Sequence, residues 1–191
     1  MGALILGLAI FFAAHSVSIV NREFRNRAIA KLGEMPWKGV YSLISLVGFV
    51  LIVWGYGAAR AEPILLYMPP LWLRYVALVL LLPVFPLLIA AYLPSRISVV
   101  AKHPMLLAAK LWAVAHLLTN GMLADVLLFG AFLAWAVADR IAVKRREPAT
   151  EAAAPSSPAN DIIVSVAGVA VYLAFVLWLH AWLFGVAPAV W

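Results

Sequence analysis

Six runs of apolar residues divide the chain, at 2–20, 40–59, 71–93, 104–119, 122–140 and 162–185. Crossing about 30 Å of hydrocarbon as helix takes about 20 such residues, and hydrocarbon admits only backbone that satisfies its own hydrogen bonds. This spacing predicts an all-α integral membrane bundle of six transmembrane helices. Composition agrees, with 66% hydrophobic and 12% charged residues and a mean hydropathy of +1.04. Soluble domains are nearer half apolar and a quarter charged.

The net charge of +6 does not point to nucleic acid. The basic residues sit in short loops between apolar runs, where they set topology. Arg22, Arg25, Arg27, Lys31 and Lys38 follow the first run. Arg96 and Lys102 precede the fourth, and Arg140, Lys144, Arg145 and Arg146 follow the fifth. With six spans all of these fall on one side. The positive-inside bias then predicts a multi-pass protein of the bacterial inner membrane with both termini periplasmic. The first run has no charge before it and arginines after it, the order of a retained anchor rather than a secretory signal.

Between the spans, residues 21–39 read as a basic cytoplasmic loop containing a short interfacial amphipathic helix. Phe24, Ala28, Ile29 and Leu32 share one side at helical spacing, Arg22, Arg25 and Lys31 stay with headgroups, and Gly33 ends the turn. Pro83 and Pro86 predict a kink in the third span. Residues 147–161, rich in Pro, Ala and Ser, read as a flexible cytoplasmic linker. Thr119-Asn120-Gly121 is a turn signal between spans four and five, and Asp125 complements the start of span five. The whole chain, 1–191, reads as a single transmembrane domain.

The chemistry rests on histidine, because the chain has no cysteine and thus no thiolate ligand or thiol nucleophile. Gly-rich phosphate loops, HExxH and GxSxG are likewise absent from the sequence. Thirteen residues separate His103 from His116, about 20 Å along a helix axis and roughly 220° around it, so each ring needs a partner from another helix. Depth along the spans sorts the four histidines into two pairs. His15 and His103 lie near the basic side, and His116 and His180 near the opposite side. Histidines within spans are costly to bury and mark candidate sites, and imidazoles from separate helices can hold a haem iron. His180, flanked by Trp178 and Trp182, also suits an aromatic belt. Lys110, seven residues after His103, either snorkels to headgroups or pairs with an anionic group such as a haem propionate.

The segments "AHS", "KHPMLLAAKLWAVAHLLTNG", "LLFGAFLAWAVADR" and "LFGVAP" resemble the NnrU family of bacterial membrane proteins over nearly the whole chain. More distantly, they resemble the plant zeta-carotene isomerase, a haem b membrane enzyme. The first resemblance implies a setting in denitrification, with nitric oxide or a nitrogen-oxide reductase system as partner. The second implies haem b held by His15 and one or more of His103 and His116. If the chain is an enzyme, it implies cis–trans isomerisation of a carotenoid-like polyene. A cofactor-free assembly or partner role stands beside these. Lys102 occupies the place where the family motif has arginine, keeping the charge without the planar fork.

Overall fold

In a computed structural model, residues 1–146 and 157–188 are described, and among them every regular element is helical. Five stretches are long and apolar enough to cross a membrane: Gly2–Val20, Glu34–Ala61, Leu73–Ala90, Leu123–Lys144 and Pro158–Phe184. The expected fourth span is the helix Pro104–Thr119, whose 16 residues make it shorter than these. At 1.5 Å per residue it is about 24 Å long. Large apolar side chains cover the outer surfaces, among them Val20 at 82% exposed and Val100 at 83%. Surface of this kind fits lipid and not water. The protein is a multi-pass membrane protein. Of the expected linker, 147–156 lies outside the described residues. Residues 158–161 are the first turn of a helix, with Pro158 at the first position, where its missing N–H is harmless.

The helices fall into two compact units that exchange segments along the chain. The first comprises residues 1–67 and 122–145, and the second residues 68–121 and 146–191.

In the first unit, α1 (Gly2–Val20), α3 (Glu34–Ala61) and α8 (Leu123–Lys144) pack together, and α2 (Arg22–Leu32) folds against α1 and α3. The α1–α3 seam is built on glycine. A Cβ on Gly7 would stand 2.6 Å from Ile52 N, one on Gly48 would stand 2.7 Å from Phe11 N, and one on Gly55 would collide with Leu4 N. Gly48, Ile52, Gly55 and Ala59 are the buried residues of α3, spaced as a small-residue stripe that lets two backbones touch. Such contact compensates for the absence of a hydrophobic drive between helices in lipid.

The start of α8 is fixed to the end of α3 by polar groups. Tyr56 Oη donates to Asp125 Oδ1 at 2.6 Å, and Met122 N–H donates to Asp125 Oδ2 at 3.1 Å. Leu123 N–H donates to Ile64 O at 2.8 Å, beside an antiparallel bridge between Leu65 and Met122. Asp125 is 4% exposed and acidic in the first turn, where it satisfies an orphan N–H and complements the helix dipole. Burial first, and the Asp125 charge second, hold the Tyr67 phenol above its ordinary value.

The second unit holds α4 (Leu73–Leu81), α5 (Val84–Ala90), α6 (Arg96–Ala101), α7 (Pro104–Thr119) and α9 (Pro158–Ala174). A π-helical turn (Phe175–Leu179) and α10 (His180–Phe184) complete it. The expected kink separates α4 from α5 at Pro83. Leu82 N–H is shared between Leu78 O and Val79 O, and Tyr172 Oη donates to Leu78 O at 2.9 Å. A hydroxyl from a neighbouring helix thus gives the carbonyl just before the proline break a second donor. Gly168 lies against the kink, where a Cβ would stand 2.5 Å from Pro86 N. Val84, Leu87 and Ala108 form the core, with Leu111 and Trp112 packed on it. Asp161 accepts from Arg96 N–H, and Asn160 donates to Pro94 O, tying the start of α9 to the loop before α6.

Two predictions test these seams by thermal unfolding in detergent. Gly55→Ala forces a methyl into the Leu4 backbone and lowers stability by about 1–3 kcal/mol. Gly57→Ala, whose Cβ meets open space, does not. Asp125→Ala strands Tyr56 Oη and Met122 N–H and costs about 1–3 kcal/mol.

Candidate functional site

The chemistry of this fold is set by how each histidine is held. His15 is on the last turns of α1 and half-buried. Its Nδ1 lies 2.8 Å from Phe11 O, one turn back on the same helix. A carbonyl oxygen only accepts, so Nδ1 carries the proton and Nε2 keeps its lone pair. This is the arrangement found behind metal-bound imidazoles, where the second nitrogen donates to a carbonyl. Phe11 stacks on the ring at 4.0 Å between centroids, while Tyr41 and Trp135 stand at 5.3 and 5.8 Å.

Beside His15 is a cavity of about 530 Å³, within the range of small-molecule and cofactor sites. Ala14, His15, Val17 and Ser18 of α1 line it, with Arg25 and Ile29 of α2 and Glu34, Trp37, Lys38 and Tyr41 of α3. The cavity exists because α2 turns back. Asn21 caps it by accepting from Phe24 N–H at 2.9 Å. Gly33, at φ +88°, ends it with a backbone conformation that L side chains rarely adopt. Phe24 then meets Trp37 edge to face at 6.3 Å, closing α2 onto the start of α3. Lys38 pairs with Glu34 at 2.7 Å, and both are exposed. The sequence assigned Arg25 to the headgroups and did not single out Lys38, Trp37 or Tyr41 as site residues. The structure places all four on the cavity wall.

His103 belongs to the second unit, and His15 to the first. His103 is the residue before α7, directly after an unusual turn. His103 N–H donates to Ala101 O at 2.6 Å across Lys102, which has φ +57° and ψ −46°. This is a γ-turn of the strained hand on a residue with a Cβ, and such strain tends to be stored where a site needs a fixed geometry. Pro104 at the first helical position then starts α7. Lys110 is half-buried in the middle of α7.

His116 and His180 are brought together within the second unit. Their ring centroids are 6.4 Å apart with planes at 27°. His116 Nδ1 lies 2.8 Å from Trp112 O, the same tether to the preceding turn that holds His15. His180 Nδ1 lies 2.7 Å from Val186 O. That second tether depends on Gly185, which ends α10 at φ +70° and swings the chain back over its last turn. Of the two expected histidine pairs, this one is brought together. No group of three or more metal-ligating side chains occurs among the described residues.

The tethers make a direct prediction. Nitrogen-15 spectra of histidine-labelled protein in detergent will show His15, His116 and His180 as Nδ1–H tautomers. Free imidazole favours the other form, and loss of a tether would return a ring to it.

Among known proteins, no curated protein and no solved structure matches this chain, so these comparisons do not show the likeness to zeta-carotene isomerase. A family model described as NnrU protein matches residues 3–188. With nearly its whole length matched, the chain belongs to the NnrU family.

Proposed function

We propose that this protein binds haem b in the first unit, with the His15 imidazole as an axial ligand, and acts in nitric oxide or nitrite metabolism. The observation that carries the reading is a tethered imidazole on the wall of a cavity of about 530 Å³. A porphyrin brings four of the iron's ligands itself, so one or two imidazoles suffice. The donor set fits in other respects. Phe11, Trp37 and Tyr41 give aromatic surface, and Arg25 and Lys38 give cations suited to two propionates. Haem held through one imidazole supplies an iron that takes a diatomic ligand such as nitric oxide.

The membrane placement belongs to the same reading. Six crossings, with α7 as the shortest, put the basic segments on the cytoplasmic side of a bacterial inner membrane and both termini in the periplasm. On that topology α2 lies in the headgroup layer, at the mouth of the cavity. The nitrogen-oxide setting follows from the motif resemblance, and a reductase system is the partner it implies.

A second reading has one observation in its favour. The Pro83–Pro86 kink opens a cleft of about 340 Å³ lined by Leu82, Pro83, Pro86, Leu87, Ile97, Ser165 and Val169. Apart from the Ser165 hydroxyl these side chains are apolar, which suits a stretch of polyene and a haem-dependent isomerisation. Cis-polyene added to the haem-loaded protein in vesicles would convert to trans on that reading and stay unchanged on the first.

The first test is the absorption spectrum of the protein purified in detergent after expression with a haem precursor. A Soret band is expected, shifted by nitric oxide. His15→Ala abolishes it, and Arg25→Gln weakens haem retention without abolishing it. A protein that shows no Soret band, even with added haemin, overturns the reading.

A further inference from the structure

The side of α2 turned away from the cavity carries charges that the reading above does not use. A single residue, Asn21, joins α2 to α1, and a single residue, Gly33, joins it to α3. Both neighbours are long and apolar enough to cross a membrane. A helix held this closely by two span ends stays at the bilayer surface, so its outer side meets whatever lies there. From the reading above the inference takes only this placement in the headgroup layer, and nothing from haem. Arg25, Ala28 and Ile29 are half-buried and share one side at helical spacing, and Arg25 and Ile29 line the cavity. Every other residue of α2 is exposed. At 100° per residue, Lys31 lies about 20° and Arg27 about 60° to one flank of Phe24, with Leu32 about 80° to the other. Val20 just before the helix and Met35 just after it are exposed as well.

The charge on that side is unbalanced. Arg22, Arg25, Arg27 and Lys31 stand in α2 against one carboxylate, Glu23, which sits in the first turn where the helix dipole favours it. Among the described residues Arg22, Arg27 and Lys31 form no ion pair, and neither does Glu23. The nearest other acid, Glu34, is already engaged by Lys38, with Arg25 adding to the attraction. We infer that the outer side of α2 is a docking surface for anionic phospholipid. Arg22, Arg27 and Lys31 take the lipid phosphates, and Phe24 and Leu32 enter the acyl boundary. Helices lying on a membrane bind in this way, through apolar area together with attraction to anionic headgroups. A zwitterionic lipid brings its own amine, which offsets the phosphate charge. A headgroup without an amine leaves that charge to the protein, and guanidinium meets phosphate through paired hydrogen bonds. An acidic protein would match the cations but not the exposed Val20, Phe24, Leu32 and Met35 that lie among them. Because Arg25 and Ile29 are on the inner side of the same helix, lipid that holds the outer side also steadies one wall of the cavity.

The test is hydrogen–deuterium exchange on the full-length protein in nanodiscs of phosphatidylcholine, alone or mixed with phosphatidylglycerol. Amides of α2 are expected to exchange at least roughly tenfold more slowly with phosphatidylglycerol, an effect that high salt removes. Arg27→Gln combined with Lys31→Gln loses most of that slowing, and Arg27→Lys combined with Lys31→Arg keeps it. Glu23→Gln, which removes the opposing charge, enlarges it. Exchange of the α3 amides in the same spectra reports whether each variant has folded. Equal exchange of α2 in the two lipid compositions overturns the inference, as does slowing that survives the double glutamine substitution. Equal slowing by polyglutamate added to phosphatidylcholine nanodiscs also overturns it, and makes an acidic protein the partner. The Soret band is read separately. A lipid effect in protein that takes up no haem sinks the haem reading alone, and haem-loaded protein without the lipid effect sinks this one alone.

Discussion

A histidine set into an apolar helix has two nitrogens to satisfy and few partners within reach. In this protein His15 and His116 solve half of that problem the same way, by giving Nδ1–H to the carbonyl one turn earlier. The carbonyl already serves the helix and has a second lone pair to spare, so the tether costs the backbone nothing. The consequence reaches beyond stability. The tether fixes tautomer and ring direction together. His180 reaches the same state through a glycine turn instead of its own helix. The remainder of each unit can be understood as scaffolding around those tethered rings. Beside His15 it is a cavity walled by aromatics and cations, and beside His116 it is the ring of His180.

Much of the architecture was legible in the residues. Spans of about 20 apolar residues are a consequence of membrane thickness, so 2–20, 122–140 and 162–185 correspond closely to helices. Pro83 marked the kink because a missing donor has the same effect in any context. Gly33 ended α2 as expected, and Asp125 served the first turn of α8. His15 and His116 also stood out in the sequence, since an ionisable ring in a span demands a reason.

What stayed hidden were features that arise only when distant segments meet or when backbone departs from its usual wells. Asp125 does more than cap a helix, because Tyr56 is 69 residues away in sequence and donates to the same carboxylate. Arg25 looked like a headgroup anchor, as an amphipathic helix in isolation would suggest. Only the fold-back of α2, closed by Phe24 on Trp37, makes it part of a cavity wall. The γ-turn at Lys102 carries no sequence signal, because the residue that usually occupies positive φ is glycine. Nor does the π turn before His180, whose residues are ordinary helix formers in a membrane. The stripe of Gly48, Ile52, Gly55 and Ala59 could have been found from its alternating four- and three-residue spacing, which keeps one helix face small.

The interleaving of the two units has a consequence for how the chain is made. A ribosome delivers α1, α2 and α3 well before α8, and α4 to α7 before α9. Neither unit can finish packing as its helices first emerge, and each leaves a vacant seat for a latecomer while the other is under construction. The carboxylate of Asp125 arrives after Tyr56 has already entered the bilayer, and Tyr172 adds its hydroxyl to the carbonyl of Leu78 only near the end of synthesis. Until Asp125 arrives the Tyr56 hydroxyl must borrow water or lipid headgroups, a vacancy that the order of synthesis imposes.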